Sequence, residues 1–270
     1  MAVKRLVVTA DDFGASLAIN DAVERAHREG VLTAASLMVA EPAAADAVER
    51  ARGMPDLGVG LHVALTNARS MLPPERVPDL VDANGRFDGR LLRAGVRYFA
   101  SRRVRSQLRD EIRAQFEAFA RTGLRLDHVD GHNHMQVHPV LFAMILEIGN
   151  EYGLRAMRVP FEPFALSPAG IGNAIVIGPW AALMRARLHR ARVRCNDAVF
   201  GLNDTGRLDE ARVLEILARL PDGLSELYAH PASSNAGYAR ADELEALLSS
   251  RVREAISRQG IVLARYGDSR

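Results

Sequence analysis

Val7-Val8-Thr9-Ala10-Asp11-Asp12-Phe13-Gly14 joins a short apolar run directly to two adjacent carboxylates and a glycine. An apolar run of this kind predicts a strand that is buried on both faces. Two adjacent carboxylates repel each other unless a cation lies close to them. The stretch therefore predicts the first strand of a parallel sheet, ending at a site that holds a cation.

The composition is that of an ordinary globular protein, and we expect one domain that spans residues 1–270. The formal net charge is only +2 and the basic residues recur along the chain, so charge gives no argument for nucleic-acid binding. Cys195 is the single cysteine, which excludes an internal disulfide and a cysteine-based metal cluster. No signal-peptide core opens the chain and no apolar run reaches the roughly 20 residues of a membrane helix. We therefore expect a cytoplasmic protein without a membrane span.

Short apolar runs alternate with segments of helical periodicity along the chain. After the first strand, the predicted strands cover residues 32–39, 57–65, 124–129, 154–159, 197–200, 224–229 and 261–264. The predicted helices cover residues 17–29, 42–52, 91–100, 104–121, 138–152, 179–193, 208–220 and 241–257. Such alternation requires parallel strands with right-handed crossovers, and hence an α/β fold: a complete or incomplete (β/α) barrel. An open doubly wound sheet is the alternative, but its glycine-rich phosphate fingerprint does not follow the first strand.

Polar side chains with catalytic potential follow the carboxyl ends of the predicted strands. In a (β/α) barrel these ends converge on one face, where active sites are built. The side chains are those of Asp11, Asp12, His62, Asp130, His132, His134, Arg158, Glu162 and His230.

One carboxylate and two imidazoles from three different strand ends would bind a divalent ion and leave positions open for water and substrate. We assign Asp12, His62 and His132 to this metal site, a ligand set that suits zinc chemically. Asp11 can then remove a proton from water as general base, and His230 can return a proton to a leaving amine. These roles predict metal-dependent amide hydrolysis.

Four separated motifs support this interpretation. They are Thr9-Ala10-Asp11-Asp12-Phe13-Gly14, Gly60-Leu61-His62-Val63-Ala64-Leu65-Thr66, Asp130-Gly131-His132-Asn133-His134 and Tyr228-Ala229-His230-Pro231. Together they resemble the YdjC-like carbohydrate deacetylases of the ChbG type. The resemblance implies a polysaccharide-deacetylase-like (NodB-like) barrel that removes N-acetyl groups from sugars with a divalent ion, magnesium in this family.

Within that family, the opening of the chain is most similar to the branch associated with hopanoid biosynthesis, HpnK. Membership of this branch would imply an N-acetylglucosamine-bearing hopanoid lipid as substrate, whereas the alternative is a soluble chitooligosaccharide. Two further functions stay open at this point: a metal-dependent phosphoesterase with two ions, and a barrel that binds a sugar or lipid without catalysis.

Several residues have two interpretations. Asp130 and His134 are assigned to substrate contact or to support of the metal ligands. Arg158 and Glu162 are interpreted as a substrate clamp or as a structural ion pair, with the further option that Arg158 orders Asp11. Residues 170–194 are apolar and then rich in arginine, which suits a peripheral membrane contact, although a core helix or a homodimer contact is favoured there.

Overall fold

The computed structural model describes residues 3–163, 171–233 and 240–268. The strands are β1 (Lys4–Phe13), β2 (Ala34–Leu37), β3 (Gly58–Val63), β4 (Val129–Gly131), β5 (Ala198–Phe200), β6 (Gly223–Ala229) and β7 (Val262–Leu263). The helices are α1 (Leu17–Glu29), α2 (Ala44–Arg52), α3 (Leu91–Ala100), α4 (Arg102–Arg121), α5 (Pro139–Glu151), α6 (Ile171–Arg190), α7 (Glu210–Ala218), α8 (Arg240–Leu248) and α9 (Ser250–Arg258). A short 3₁₀ segment, His132–Val137, follows β4 directly.

The strands form one parallel sheet in the order β4-β3-β2-β1-β6-β5, and β7 pairs with the beginning of β1. Between β4 and β5 the sheet is not continuous. The chain at Ala156 and Met157 crosses this opening with single parallel bridges to Arg194 on one side and Val129 on the other. The predicted (β/α) barrel is therefore confirmed, in its incomplete form.

The first strand lies at the centre of this sheet. Leu6, Val7, Val8 and Ala10 in β1 are all fully buried. Helices cover the outer face of the strand, and on the inner face Val7 packs against Ala156 and Tyr266. Burial on both faces explains why the sequence begins with a continuous apolar run. The last residues of β1 therefore lie inside the mouth of the barrel.

Several predicted strands are shorter than expected, and two differ most from the prediction. The ladder of β4 begins only at Val129, so residues 124–128 precede it. The predicted strand 154–159 makes only single bridges, because the side chain of Asn196 takes the place of a neighbouring strand. Its Oδ1 accepts from the backbone N–H of Val159 at 2.7 Å, and its Nδ2 donates to the carbonyl of Val159 at 2.9 Å.

The predicted helix 241–257 is two helices. Ser249 adopts a non-helical conformation between α8 and α9, and its hydroxyl accepts from the N–H groups of Arg251 and Val252. A serine that caps the following helix in this way ends the preceding one. Near the start of the chain, Ser16 caps α1, and its hydroxyl accepts from the backbone N–H of Ile19.

Helix α6 begins well before the predicted start at Pro179, which lies inside it. The side chains of residues 170–177, on which the predicted membrane contact depends, lie outside the described part of the chain. Among the described residues, no helix combines the length and apolar character needed to cross a bilayer.

Buried polar residues on α4 hold the loop that follows β3. The carboxylate of Glu111 accepts from the backbone N–H groups of Met71 at 2.7 Å and Leu72 at 2.9 Å. One helical turn further, the amide of Gln115 both donates to and accepts from the backbone of Ala64. These bonds satisfy loop backbone groups that would otherwise be buried without partners. The chain is thereby fixed directly after β3.

The backbone of Gly60 in β3 lies directly against the ring of His128. This contact predicts that no residue larger than glycine fits at position 60. A Cβ at Gly60 would lie 2.5 Å from Cε1 and 2.6 Å from Nε2 of the ring, and Ser36 holds that ring through a 3.1 Å hydrogen bond. We expect Gly60→Ala to lower the free energy of unfolding by about 1–3 kcal/mol, as overpacking of a core does. Urea denaturation measures this change.

The matched control is Gly95→Ala in α3, where the nearest atom to a new Cβ is 3.9 Å away. Alanine should raise the free energy of unfolding there by about 0.5–1 kcal/mol, because glycine is unfavourable inside a helix. Equal stability of the Gly60→Ala variant and the parent protein would contradict the proposed packing.

Candidate active site

A backbone irregularity at the end of β1 separates the two adjacent aspartates. The register of β1 against β2 shifts between Ala10 and Phe13, and Asp12 has a φ of 64°. Neighbouring side chains of a regular strand point to opposite faces, and a bulge interrupts this alternation. Asp11 and Asp12 can therefore both reach the barrel interior, where they contact different partners.

Asp12 faces two imidazoles that arrive from β3 and from the 3₁₀ segment. Its Oδ1 lies 3.0 Å from Nδ1 of His132 and 3.7 Å from Nε2 of His62. The two imidazole rings meet edge to face with centroids 5.4 Å apart. The structure thus brings together the three residues that the sequence assigns to a metal.

The dimensions of this cluster fit a divalent ion. One possible ligand atom from each of Asp12, His62 and His132 lies within 4.8 Å of the other two. Ligand atoms at about 2.0–2.2 Å from an ion lie at comparable separations from one another. Asp12 and His62 are buried and His132 is partly exposed, so one side of the cluster is open to a substrate.

Charge at this cluster also favours a cation. Burial acts to raise the pKa of Asp12, but neighbouring imidazoles outweigh burial and hold the pKa of this carboxyl well below its usual range. Burial acts to lower the pKa of His62, but surrounding carboxylates, led by Asp130, raise it to about 9. The carboxylates that favour a proton on His62 would equally compensate the charge of a metal cation, which replaces that proton when it binds.

Asp130 orients His62. Its Oδ1 lies 2.8 Å from Nδ1 of His62, and its Oδ2 accepts from the hydroxyl of Ser36 at 2.8 Å. The register of β3 against β4 places these residues directly opposite each other. A carboxylate bonded to one ring nitrogen leaves the other nitrogen, Nε2, directed at the metal cluster.

Arg158 is fully buried among three carboxylates. Its guanidinium donates to both oxygens of Asp11 at 2.8 Å and to both oxygens of Glu226 at 2.8 and 2.9 Å. It also lies 2.9 Å from Oδ2 of Asp130. Of the three sequence-based interpretations of Arg158, the contact with Asp11 is present, whereas an ion pair with Glu162 is not found among the described residues. The substrate clamp stays a prediction.

The same guanidinium excludes a second metal site nearby. Asp11, His62 and Asp130 also have possible ligand atoms within 4.8 Å of one another. However, Nη1 of Arg158 lies 2.8 Å from Asp11 and 2.9 Å from Asp130, so a positive charge already occupies this position. A metal ion there would be repelled by the arginine.

Glu226 is a part of the site that sequence reasoning missed. It is fully buried in β6 and accepts from the hydroxyls of Thr9 and Tyr266, each at 2.6 Å. These bonds hold the carboxylate against Arg158. A signal was present, because a glutamate in the mostly apolar run Leu224–Ala229 has to be paired once it is buried.

His134 belongs to a separate contact at the barrel mouth. Both Asn133 and His134 have positive φ, 52° and 54°, and this rarely occupied backbone conformation places Nε2 of His134 2.9 Å from the hydroxyl of Tyr228. Burial, and then the charge of Arg158, lower the pKa of His134 to about 3. His134 is therefore a neutral hydrogen-bonding group, and Tyr228 is its partner, which the sequence did not reveal.

His230 lies beside Tyr228, and Glu162 is held by the backbone of Asn203. The backbone N–H of His230 donates to Glu243, and its ring lies 5.5 Å from that of Tyr228. Among the described residues, Nδ1 of His230 has no hydrogen-bond partner. Glu162 accepts from the backbone N–H of Asn203 at 3.2 Å, and burial raises its pKa.

The chain is similar to a known family and to several known proteins. The family model described as YdjC-like protein matches residues 5–258. The chain is 31% identical to a carbohydrate deacetylase of Brevibacillus brevis, with 98% of this chain and 99% of the relative covered. It is also 31% identical to a carbohydrate deacetylase of Geobacillus stearothermophilus, with 96% of each covered. A crystal structure from Enterococcus faecalis, described as a candidate cellobiose-phosphate cleavage protein, superimposes with a TM-score of 0.80 at 28% identity over 98% of both chains.

Replacing Arg158 with methionine should destabilise the protein strongly. The substitution leaves buried carboxylates without their cation, and breaking a buried ion pair in this way costs about 3–5 kcal/mol. In the parent protein Arg158 lowers the pKa of Asp11 and of Asp130, so their contribution to stability is present above the usual aspartate pKa and is lost as the pH falls. In the variant burial dominates and raises these pKa values, so the variant gains stability as the pH falls. The stability difference between the two proteins should therefore be largest at neutral pH.

Urea denaturation of both proteins between about pH 5 and pH 8 measures that difference. The matched control is Arg109→Met, because Arg109 pairs with Glu147 at 2.8 Å on the surface. The control should change the free energy of unfolding by less than about 1 kcal/mol. A loss of similar size in both variants would contradict the buried network.

Proposed function

Because the chain belongs to the YdjC-like family, we propose that it is a metal-dependent hydrolase that removes the N-acetyl group from an N-acetylglucosamine-type sugar. Relatives that share its full length carry the description carbohydrate deacetylase. The observation that carries the proposal is the separation of two adjacent carboxylates, since Asp12 faces two imidazoles while Asp11 faces Arg158. Amide hydrolysis needs both a metal site and a base beside it.

Asp12, His62 and His132 would hold the ion, and Asp130 would keep the ring of His62 in position. A divalent ion there would polarise the acetyl carbonyl and increase the acidity of water. Zinc suits the two nitrogens and one carboxylate, and magnesium is the ion that the family resemblance implies.

Asp11 would act as the general base. Burial acts to raise its pKa, but the charge of Arg158 outweighs burial and lowers it, so the carboxylate is ionised and can accept a proton from water. Two hydrogen bonds from Arg158 fix the direction of the carboxylate. A base held in one orientation reacts without first losing conformational freedom.

His230 would return a proton to the nitrogen of the leaving sugar amine. A positive charge on its ring helps to lower the pKa of Asp12, so the ring is near the candidate metal site. Among the described residues, the buried Nδ1 of this ring has no hydrogen-bond partner. Water, substrate and these two groups together account for acetate and a free amine as products.

The proposal has two candidate substrates. One is a lipid-linked N-acetylglucosamine, such as a hopanoid glycolipid, and the other is a soluble chitooligosaccharide. A phosphoesterase with two ions is disfavoured, because Arg158 occupies the position between Asp11 and Asp130. Mass spectrometry of both substrate types after incubation with metal-loaded protein identifies the one that loses an acetyl group.

Two kinds of substitution should separate metal binding from proton transfer. Asp11→Asn should lower kcat by about 10²–10⁴-fold, the usual contribution of a general base, while the bound metal remains near one ion per chain. Asp12→Ala and His132→Ala should lose both the metal and acetate release, as should treatment of the parent protein with a chelator. Acetate release and metal content by mass spectrometry measure both effects.

His27→Ala is the matched control, because His27 lies in α1 and contacts the backbone of Leu32 rather than the site. It should retain both metal and activity. Loss of the metal from the Asp11→Asn protein would contradict the separate roles of Asp11 and Asp12. If the metal-loaded parent protein releases no acetate from either substrate, the proposed function is wrong.

A further inference from the structure

Helix α3 carries apolar side chains on two sides, and only one side faces the core. Ala94 and Tyr98 are buried, whereas Leu91, Val96 and Phe99 are 43%, 72% and 52% exposed. At 100° per residue the three exposed side chains fall within about 140° of arc, so they form one continuous strip. A surface helix normally places such a strip against its own core.

The segment of the chain that contains α3 carries a surplus of positive charge. Residues 66–105 contain nine arginines and four acidic residues, a surplus of five positive charges, although the whole chain carries only +2. The rest of the chain is therefore net negative. Arg93, Arg102 and Arg103 are exposed on or beside α3. Although arginines recur along the whole chain, the net positive charge is therefore confined to one segment.

The strip borders the mouth of the barrel. The hydroxyl of Tyr98 donates to the carbonyl of Leu65, three residues beyond His62. Nε2 of His138 lies 3.1 Å from the carbonyl of Gly95, and the rings of His138 and Phe99 have centroids 4.1 Å apart. His138 directly follows the 3₁₀ segment that carries His132. Whatever binds α3 is therefore held next to the candidate active site.

We propose that α3 and its arginines dock the protein on an anionic lipid bilayer. Exposed apolar side chains insert at the boundary between headgroups and acyl chains, and arginines beside them bind anionic headgroups. A second copy of the chain fits less well, because two such surfaces facing each other would bring their positive charges together. The contact lies on α3, whereas the sequence-based expectation of a membrane contact lay in residues 170–194.

Vesicle flotation tests this surface. The metal-free full-length protein should float with vesicles of phosphatidylglycerol and phosphatidylcholine, and not with vesicles of phosphatidylcholine alone. Val96→Asp should weaken binding at least about tenfold, because one buried valine contributes roughly that factor. Arg93→Glu/Arg102→Glu should weaken binding by about fivefold or more for each arginine. Added salt should weaken binding of the parent protein.

Val262→Asp is the matched control. Val262 is also an exposed apolar residue, at 47%, but β7 pairs with the beginning of β1, at the opposite end of the sheet. It should bind vesicles as the parent protein does, and thermal unfolding verifies that all variants are folded. Failure of the parent to bind, equal binding to both vesicle types, or binding unaffected by both α3 variants would overturn the proposal. The proposal would also be overturned if the parent protein formed a homodimer that Val96→Asp dissociates and did not bind vesicles. None of these outcomes affects the test of acetate release.

Discussion

The guanidinium of Arg158 lies in the middle of the barrel, with Asp11, Asp130 and Glu226 arranged around it. All four side chains are buried, and an unpaired charge in such a position would be far too costly for a folded protein. The arginine needs the carboxylates as much as they need it. Because β1, β4 and β6 each contribute one carboxylate, this cluster also joins three strands.

The positions of the groups at the barrel mouth follow from this cluster. Asp130 uses one oxygen for Arg158 and the other for His62, so the buried arginine is linked to the imidazole of the candidate metal site. Asp11 is held by the same guanidinium while Asp12, its neighbour, turns towards His62 and His132. The bulge at the end of β1 makes this divergence possible, because it cancels the alternation of side chains.

The two ends of the candidate site differ in character. Towards the interior, charged groups are paired with one another and the hydrogen bonds of Tyr266 and Thr9 complete the pairing. Towards the mouth, His132 is partly exposed and the neutral His134 bonds to Tyr228. Beside that mouth lies the apolar strip of α3 with its arginines. A rigid, charged interior beneath an open, mixed rim is an arrangement that suits chemistry on a large substrate.

The sequence by itself determined the class of fold and most of the residues at the mouth. Apolar runs alternating with helical periods require a parallel sheet, and polar side chains after those runs must then meet at one edge, which is how Asp12, His62 and His132 could be grouped. It did not determine which side chains pair inside the barrel. Glu226 lies more than two hundred residues from Asp11, and it contacts the same arginine only because β6 is the neighbour of β1 in the sheet. Strand order, a bulge at Asp12 and side-chain bonds such as that of Asn196 depend on contacts between distant segments, and local sequence patterns carry no information about them.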